Sequence, residues 1–590
     1  MFLSIANQKV LATSLILILL PNIQLDYANA AVYYVDAEHT FANNAPAFGG
    51  HRFPFKTISY AVSVADKNDK IFVKAANYGE PNDSDLGVHG HVDKRGITID
   101  KEGLSLIGYS DLNSVNESTG TTDLSNGAGV PDDYHEFPVN KAPTLNGESR
   151  SESTHYIGIT VTANYVNVRN IRLTNFNQGI YVKSSEDVEL ENVVIFDVGH
   201  NTGKNGDDST GIGINLHEGT KGSAKVENCF ILNASHIGIE IRTDFNVIKD
   251  CQVYCDDDSV DSTSSGTYEN TWKVAPTDYY FDVLGSNNTI ENCNIARIRK
   301  SGQNWPTHGG HGYTIQGRNG NVAKENKFVD CKSENIDEFI LLRGPGAKEN
   351  TFHKCISNLI DDEDSDTSIK AFRRPWGSIS IAGGPEGNRF QRIRVNNSTQ
   401  GISYGRVAGG SGTHSSKNNW FENCIFDIAR YTRSFNQNNV RNVHNLGVGI
   451  KLYPIQPRLL IEDDNYVFCA FRGGNALFAG ARAGTGNLIV NSVVHEFDKF
   501  EQLFGGASGN HGDHGFDLFY DCIFPTADFP DNVTNVYLNP NPNSTYDFSL
   551  PANSPCIDKA AEVPTHEGKD YFGGSRLSGS AHDIGPHERQ

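Results

Sequence analysis

Beyond residue 20 the sequence has no apolar run long enough to cross a bilayer, so no membrane insertion is expected. Positive charge is scarce as well: 50 Lys and Arg stand against 71 Asp and Glu, a formal net charge of -21. The charges are spread along the chain and leave no basic face for nucleic acid. An anionic substrate stays open, since a local basic cleft can sit on an acidic protein, and the acidic total suits a protein kept soluble in salty surroundings. The apolar spacing of three and four that helical repeats need is missing, and so is the Leu/Asn frame of leucine-rich repeats.

What is present begins with a secretory signal. Lys9 precedes an apolar run over residues 10–20, too short for a stable span, and Ala28-Asn29-Ala30 supplies the small-x-small pattern of a cleavage site. The expectation is a secreted protein, extracellular or periplasmic, whose fold starts near Ala31. Ten cysteines in such a chain normally suggest disulfides, but their setting points elsewhere. Seven similar phrases recur: "AKVENCFI", "NVIKDCQV", "NTIENCNI", "NKFVDCKS", "NTFHKCIS", "NWFENCIF" and "DLFYDCIF". Each is a short strand, a polar residue, Cys, and a further apolar alternation. The earlier "VNVRNIRL" and "VELENVVI" carry Ile171 and Val193 in the Cys place. Ile171 to Val193 and Cys229 to Cys251 are both 22 residues, and Cys331 to Cys355 is 24. A period in the low twenties made of short β pieces separated by Asn and Gly marks a solenoid. With the other repeat classes excluded, it predicts an all-β parallel β-helix in which the cysteines stack inward as small buried thiols. Cys251 and Cys255, flanking a short turn, leave a disulfide open.

The opening "YYVDAEHT…PFKTISYAVSVADKNDKIFVKAANYGE" resembles the start of secreted right-handed β-helix proteins of the pectate-lyase-like superfamily. "SPCIDKAAEVPTHEGKDYFGGSRLSGSAHDIGPHE" resembles their closing segment, with Asp558, Arg576 and Asp583 in the matching places. The resemblance implies one β-helix over residues 31–590, with a cap over about 31–100 that includes a short helix near 57–65, and a closing segment over about 545–590. It also implies activity on polysaccharides, without choosing among the lyases and hydrolases that share the fold.

In each turn a second strand precedes the Cys phrase: "GIYVKSS", "GINLHEG", "GIEIRTD", "YFDVLGS", "GYTIQGR", "FILLRGP". Strand side chains alternate between faces. If Ile180/Val182, Ile214/Leu216, Ile239/Ile241, Phe281/Val283, Tyr313/Ile315 and Ile340/Leu342 point in, their neighbours point out. One exposed column then carries Lys183, His217, Arg242, Gln316 and Arg343; the column beside it sets Glu240 next to Asp282, about 4.8 Å away on the neighbouring turn. Like charges side by side disfavour each other, so a plain solvated face does not call for this pair. Insertions over residues 253–277, 296–310 and 356–377 all precede strands of this column and should crowd one edge of its face. They carry Trp272, Trp305, Trp376, His308, Arg373 and Arg374, and His311 follows directly. Trp beside a charged groove suits sugar rings.

Two reactions compete. Hydrolysis needs two carboxyl groups, which Glu240 and Asp282 supply, with Asp244 and Glu338 in reserve and His311 and His217 near the chemistry. The remaining residues (Lys183, Arg242, Gln316, Arg343 and the loop Trp, His and Arg) would bind an anionic polysaccharide, sulfated or uronate-containing. A lyase needs a uronate carboxylate neutralised and a base for the C5 proton. Lys183 and Arg242 partly resemble the Lys and Arg on neighbouring turns of chondroitinase B and related alginate lyases, although here a whole turn intervenes. A third class is a non-catalytic adhesin, for which the gathering of Trp, His and Arg on one edge has no use. No cofactor is required on this reading; "DDDSVD" and "DDEDSD" are acidic enough to hold surface calcium. A monomer is expected.

Overall fold

The computed structural model describes residues 30–78, 93–110, 142–147, 156–199, 211–217, 222–255, 277–298, 310–336, 338–358, 378–398, 400–404 and 416–428. It also describes short strands at 115–116 and 121–122, strands beyond 428 as far as 520, and pieces of 557–586. The expected signal peptide lies outside the described residues. No helix among those described is long and apolar enough to cross a membrane.

Three parallel sheets of 15, 13 and 13 strands make up the body. Every turn visits them in one order. Asn167–Arg169 lies in the first sheet, Arg172–Thr174 in the second and Gln178–Val182 in the third. The chain then returns to the first sheet at Glu189–Glu191, one turn on, with Asn167 paired to Glu189. This is the right-handed parallel β-helix that the repeat and the resemblance together predict. The bend from first to second sheet is a single residue in the left-handed region: Asn170, Asn192, Asn228, Asp250, Asn292 and Asp330 all have φ between 50° and 58°. Asn and Asp tolerate that conformation best among residues with a side chain, which explains the polar residue before each Cys.

The next residue turns inward. Ile171, Val193, Cys229, Cys251, Cys293, Cys331, Cys355, Cys424 and Cys469 are all buried. The eight described cysteines are free. That settles the pair left open by the sequence: Cys251 sits between Cys229 and Cys293 on adjoining turns, and the Cys255 sulfur accepts an N–H from Arg297 at 3.4 Å. Burial pushes the thiols of Cys229, Cys293, Cys355 and Cys424 well above their ordinary pKa. A second internal column is aromatic, Phe328–Phe352–Phe390–Phe421–Tyr466, with centroids 4.4–5.3 Å apart.

A third column is polar and lies where the third sheet bends back to the first. Asn246, Asn288, Asn326, Asn350, Asn388 and Asn419 are fully buried. Each side-chain amide from Asn246 to Asn388 donates to the carbonyl of the next, at 2.8–3.0 Å. The same carbonyl oxygens also accept backbone N–H groups, so every turn is tied to its neighbour twice.

The capping helix runs Ile58–Val64, inside the expected 57–65, and lays Ile58, Tyr60, Ala61 and Val62 on the open end of the core. Thr57 is its N-cap, accepting from Tyr60 N at 3.3 Å, and the Asp93 carboxylate takes the N–H groups of Ile58 and Ser59 at 3.0 and 2.8 Å. At the other end of the sequence, buried Arg576 donates to the side-chain oxygen of Asn423 and, at 3.2 Å, to Pro586 O. Asn423 returns a bond to Lys569 O at 2.6 Å, and Asp583 accepts from Asp558 N at 2.7 Å. This part of the closing segment therefore lies against the flank of the solenoid, at one of its left-handed bends.

Candidate functional site

The outward columns of the third sheet pair as the alternation predicts. Tyr181, Asn215, Glu240, Asp282, Thr314 and Leu341 stand opposite one another on successive turns. Lys183, His217, Arg242 and Leu284 continue the neighbouring column through backbone bonds, and Gln316 pairs with Arg343. Exposure differs from expectation. Lys183 is exposed and His217, Arg242 and Arg343 are half-buried, but Glu240, Asp282 and Gln316 are 1%, 5% and 4% exposed. Long neighbours cover them: Arg242 lies over Glu240 with Nη2–Oε1 at 2.7 Å, and Arg343 reaches back across the face to Tyr279.

The alternation breaks at the start of each strand. Tyr280 and Phe339 belong to the core although Phe281 and Ile340, the next residues, do too. The same inward place is Gly in other turns, since a Cβ on Gly213 would lie 2.6 Å from Gly238 O and one on Gly312 2.4 Å from Phe339 O. Two consecutive inward residues bring Tyr279, His311 and Glu338 out onto the same face as Glu240 and Asp282. They too pair directly across turns. His311 Nδ1 meets Glu338 Oε2, its Nε2 lies 3.9 Å from Asp278 Oδ1, and its ring stacks on Tyr279 with centroids 4.8 Å apart. Arg343 Nη1 donates to the Tyr279 hydroxyl at 2.7 Å, and the guanidinium lies 5.7 Å from the ring centroid.

Electrostatics separate the two central carboxyl groups. Burial, and then the charge of Glu240, raise Asp282 to about 7, against weaker opposite pulls from Gln316, Arg343 and Arg318. Glu240 has Arg242 as its counter-ion. Burial pushes the Tyr279 phenol upward, Arg343 acting the other way.

Several buried oxygens on this face have no hydrogen-bond partner: Asn215 Oδ1, Glu240 Oε2, Asp282 Oδ1, Thr314 Oγ1 and Gln316 Oε1. Unmatched buried acceptors are costly, and these five lie on one face. Among the described residues no three His, Cys, Asp or Glu gather as a metal site. The two carboxylates with the Asn215 and Gln316 carbonyls are nonetheless an oxygen-only set, the donor type calcium takes.

Of the other residues expected here, Tyr313 is inward, donating to Cys293 O at 2.7 Å and Lys332 O at 3.1 Å. Asp244 is a turn residue whose Oδ1 accepts Ser286 N at 2.6 Å. Trp272, Trp305, His308, Arg373, Arg374 and Trp376 lie outside the described residues, as do both acidic runs. The chain leaves the described structure at 255, 298 and 358 and returns at 277, 310 and 378, each time directly before a third-sheet strand. Tyr279 and Asp278 were missed by sequence reading, and the doubled inward position after them was the signal.

No family model matches the chain, and no curated protein matches it. Among solved structures it is similar to pectate lyase Pel9A, at 14% identity over 95% of this chain and 96% of that one, with a TM-score of 0.31. A PL6 alginate lyase in complex with a trisaccharide matches at 11% identity over 76% and 82%, TM-score 0.33. The catalytic domain of a GH87 α-1,3-glucanase in complex with nigerose matches at 11% identity, TM-score 0.40; 76% of this chain spans 63% of that one.

Proposed function

We propose that this is a secreted enzyme that depolymerises an anionic polysaccharide on the outer face of the third sheet, by hydrolysis of the glycosidic bond. One observation carries this reading: two buried carboxyl groups, Glu240 and Asp282, are stacked on adjacent turns, and burial with the neighbouring Glu240 raises Asp282 to about 7 while Glu240 is paired with Arg242. Asp282 gives its proton to the leaving oxygen; Glu240 acts as base or nucleophile on the other side of the scissile carbon. Stacked backbones about 4.8 Å apart leave the carboxyl groups within the separations that glycosidases use. The unmatched oxygens of Asn215, Thr314 and Gln316 are acceptors for sugar hydroxyls. Lys183, Arg242 and Arg343 supply cations for sulfate or uronate groups.

A second reading, β-elimination, draws on the oxygen-only set and on the His311–Glu338 pair beside Tyr279. When bound by Asn215, Glu240, Asp282 and Gln316, calcium would neutralise a uronate carboxylate. His311, oriented by Glu338, would then exchange the proton. The deciding experiment incubates the protein with alginate, polygalacturonate and chondroitin sulfate, following reducing ends and the ultraviolet absorbance of unsaturated uronate together. New reducing ends without absorbance support hydrolysis. Absorbance that a chelator abolishes replaces it with the lyase, and binding without cleavage of any polymer leaves only an adhesin.

A further inference from the structure

The bend from third to first sheet has a residue in the left-handed region on most turns, directly before the buried Asn ladder. On the ridge it forms, the chain places Asp187, Ser223, Asn287, Glu325, Glu349, Gly387 and Asn418 at φ between 52° and 68°. Two turns depart from this small or polar usage. Tyr165 has φ 59° and Phe245 φ 61°, and their side chains are 47% and 62% exposed. A bulky aromatic side chain is strained in that region, and an exposed one gains no core packing in return. Neither ring meets another ring among the described residues. Strain kept with no ring partner and about half or more of the side chain in solvent points to an external use.

The ridge runs alongside the site. Phe245 is three residues beyond Arg242 and five beyond Glu240 on the same turn, within about 10 Å of chain from the Arg242 column. Val322, also exposed at 53%, is tied to the ridge by the bond from Ser286 Oγ to its carbonyl at 2.9 Å. Phe245 and Val322 thus put apolar surface on an otherwise polar ridge, opposite the Tyr279–His311–Glu338 edge, with the charged columns between.

We infer that Tyr165 and Phe245 are binding residues for the polysaccharide, stacking under sugar rings at the Glu240 turn and on the turns N-terminal to it. This rests on the reading of the third-sheet face as the polysaccharide site. Pyranose rings present flat C–H faces to an aromatic ring, and Tyr165 and Phe245 stand three turns apart, about 14 Å along the solenoid. A chain long enough to cover both is held by both; a short fragment reaches at most one.

The test uses the full-length Glu240→Gln protein, so that no polymer is consumed, with Phe245→Asn, Tyr165→Asn and the double change added to it. Asn suits the left-handed conformation, so the added changes should leave the melting temperature equal or higher. Affinity electrophoresis in alginate, polygalacturonate and chondroitin sulfate gels should then show about ten-fold weaker retention for each single variant and more for the double, in the gel that retains the parent. The loss should shrink for short oligosaccharides of the same polymer. Equal retention of parent and variants overturns the ridge while leaving the site intact. If no gel retains the parent, the reading of the face fails and the ridge with it. A variant that melts lower shows that the aromatic rings serve the fold, and this too overturns the inference.

Discussion

Two polar columns climb this solenoid about one strand apart, and both are buried. In the ladder from Asn246 to Asn419 each amide donates to the next carbonyl, and those carbonyls also take backbone N–H groups. In the column of Asn215, Glu240, Asp282 and Thr314, each residue has an oxygen without a partner. Burial is therefore no guide to role; hydrogen-bond completion is. The first column is finished within the protein and holds turns together, while the second keeps unmatched oxygens on the face of the carboxylate pair.

The sharpest way to break this contrast is to alter the unfinished column. Glu240→Gln and Asp282→Asn should each reduce turnover by at least ~10³-fold on the responsive polymer. Thermal melts of Asp282→Asn should show no loss of stability, because the amide keeps the shape of the protonated carboxyl and carries no charge to bury. Full activity in both variants would move the chemistry to His311 and Glu338. Next comes the finished column. Asn326→Ala strips acceptors from Asn288 and backbone N–H groups and leaves Gly285 O and Asn350 without its donor, so it should cost about 2–4 kcal/mol in denaturant unfolding. A loss below ~1 kcal/mol would mean the ladder is replaceable by water.

pH sharpens the comparison further. Asp282 holds its proton to about 7 in the folded state, against an ordinary 3.8. Between those values the folded protein binds the extra proton, so stability contributed by this group is full at low pH and is lost as pH rises toward 7, by up to ~1.4 kcal/mol per unit. Melting temperatures of Asp282→Asn should lack that slope, whereas Asn326→Ala should keep it. The same proton predicts that kcat/KM falls above pH about 7. The smallest effect belongs to the apolar counterpart, the Cys column: Cys331→Ala should cost about 1 kcal/mol, and thiol reagent should find the described cysteines unreactive until the protein is unfolded.

The fold was legible because the repeat is written in two independent codes. The Asn or Asp before Cys answers to backbone conformation and the apolar alternation to burial, and both carry the same period. Glu240, Asp282, Arg242, Gln316 and Arg343 could be assigned to one outward face because strict alternation holds across them. It fails one residue earlier, where Tyr280 and Phe281 both turn inward, and so Tyr279 and the His311–Glu338 contact were invisible to a period of two. Exposure was misjudged for a different reason. Alternation says which face a side chain leaves from, not what then lies over it, and Arg242 folding onto Glu240 is a contact that no spacing encodes.

Arg576 grips Asn423 from 153 positions away in the sequence. A solenoid otherwise behaves as a row of coins, each held by the two beside it, able to form or fray one at a time from either end. This contact ties a late segment to a turn near the far end of the row and makes a loop of the turns between. Loss of the bend at Asn423 is then felt near residue 576 as well as on the adjoining turns, and part of the array gains the all-or-none character of a globular domain. It also imposes an order on synthesis: the turn at Asn423 is made early and waits, with its bend open on one side, until the residues that close it emerge.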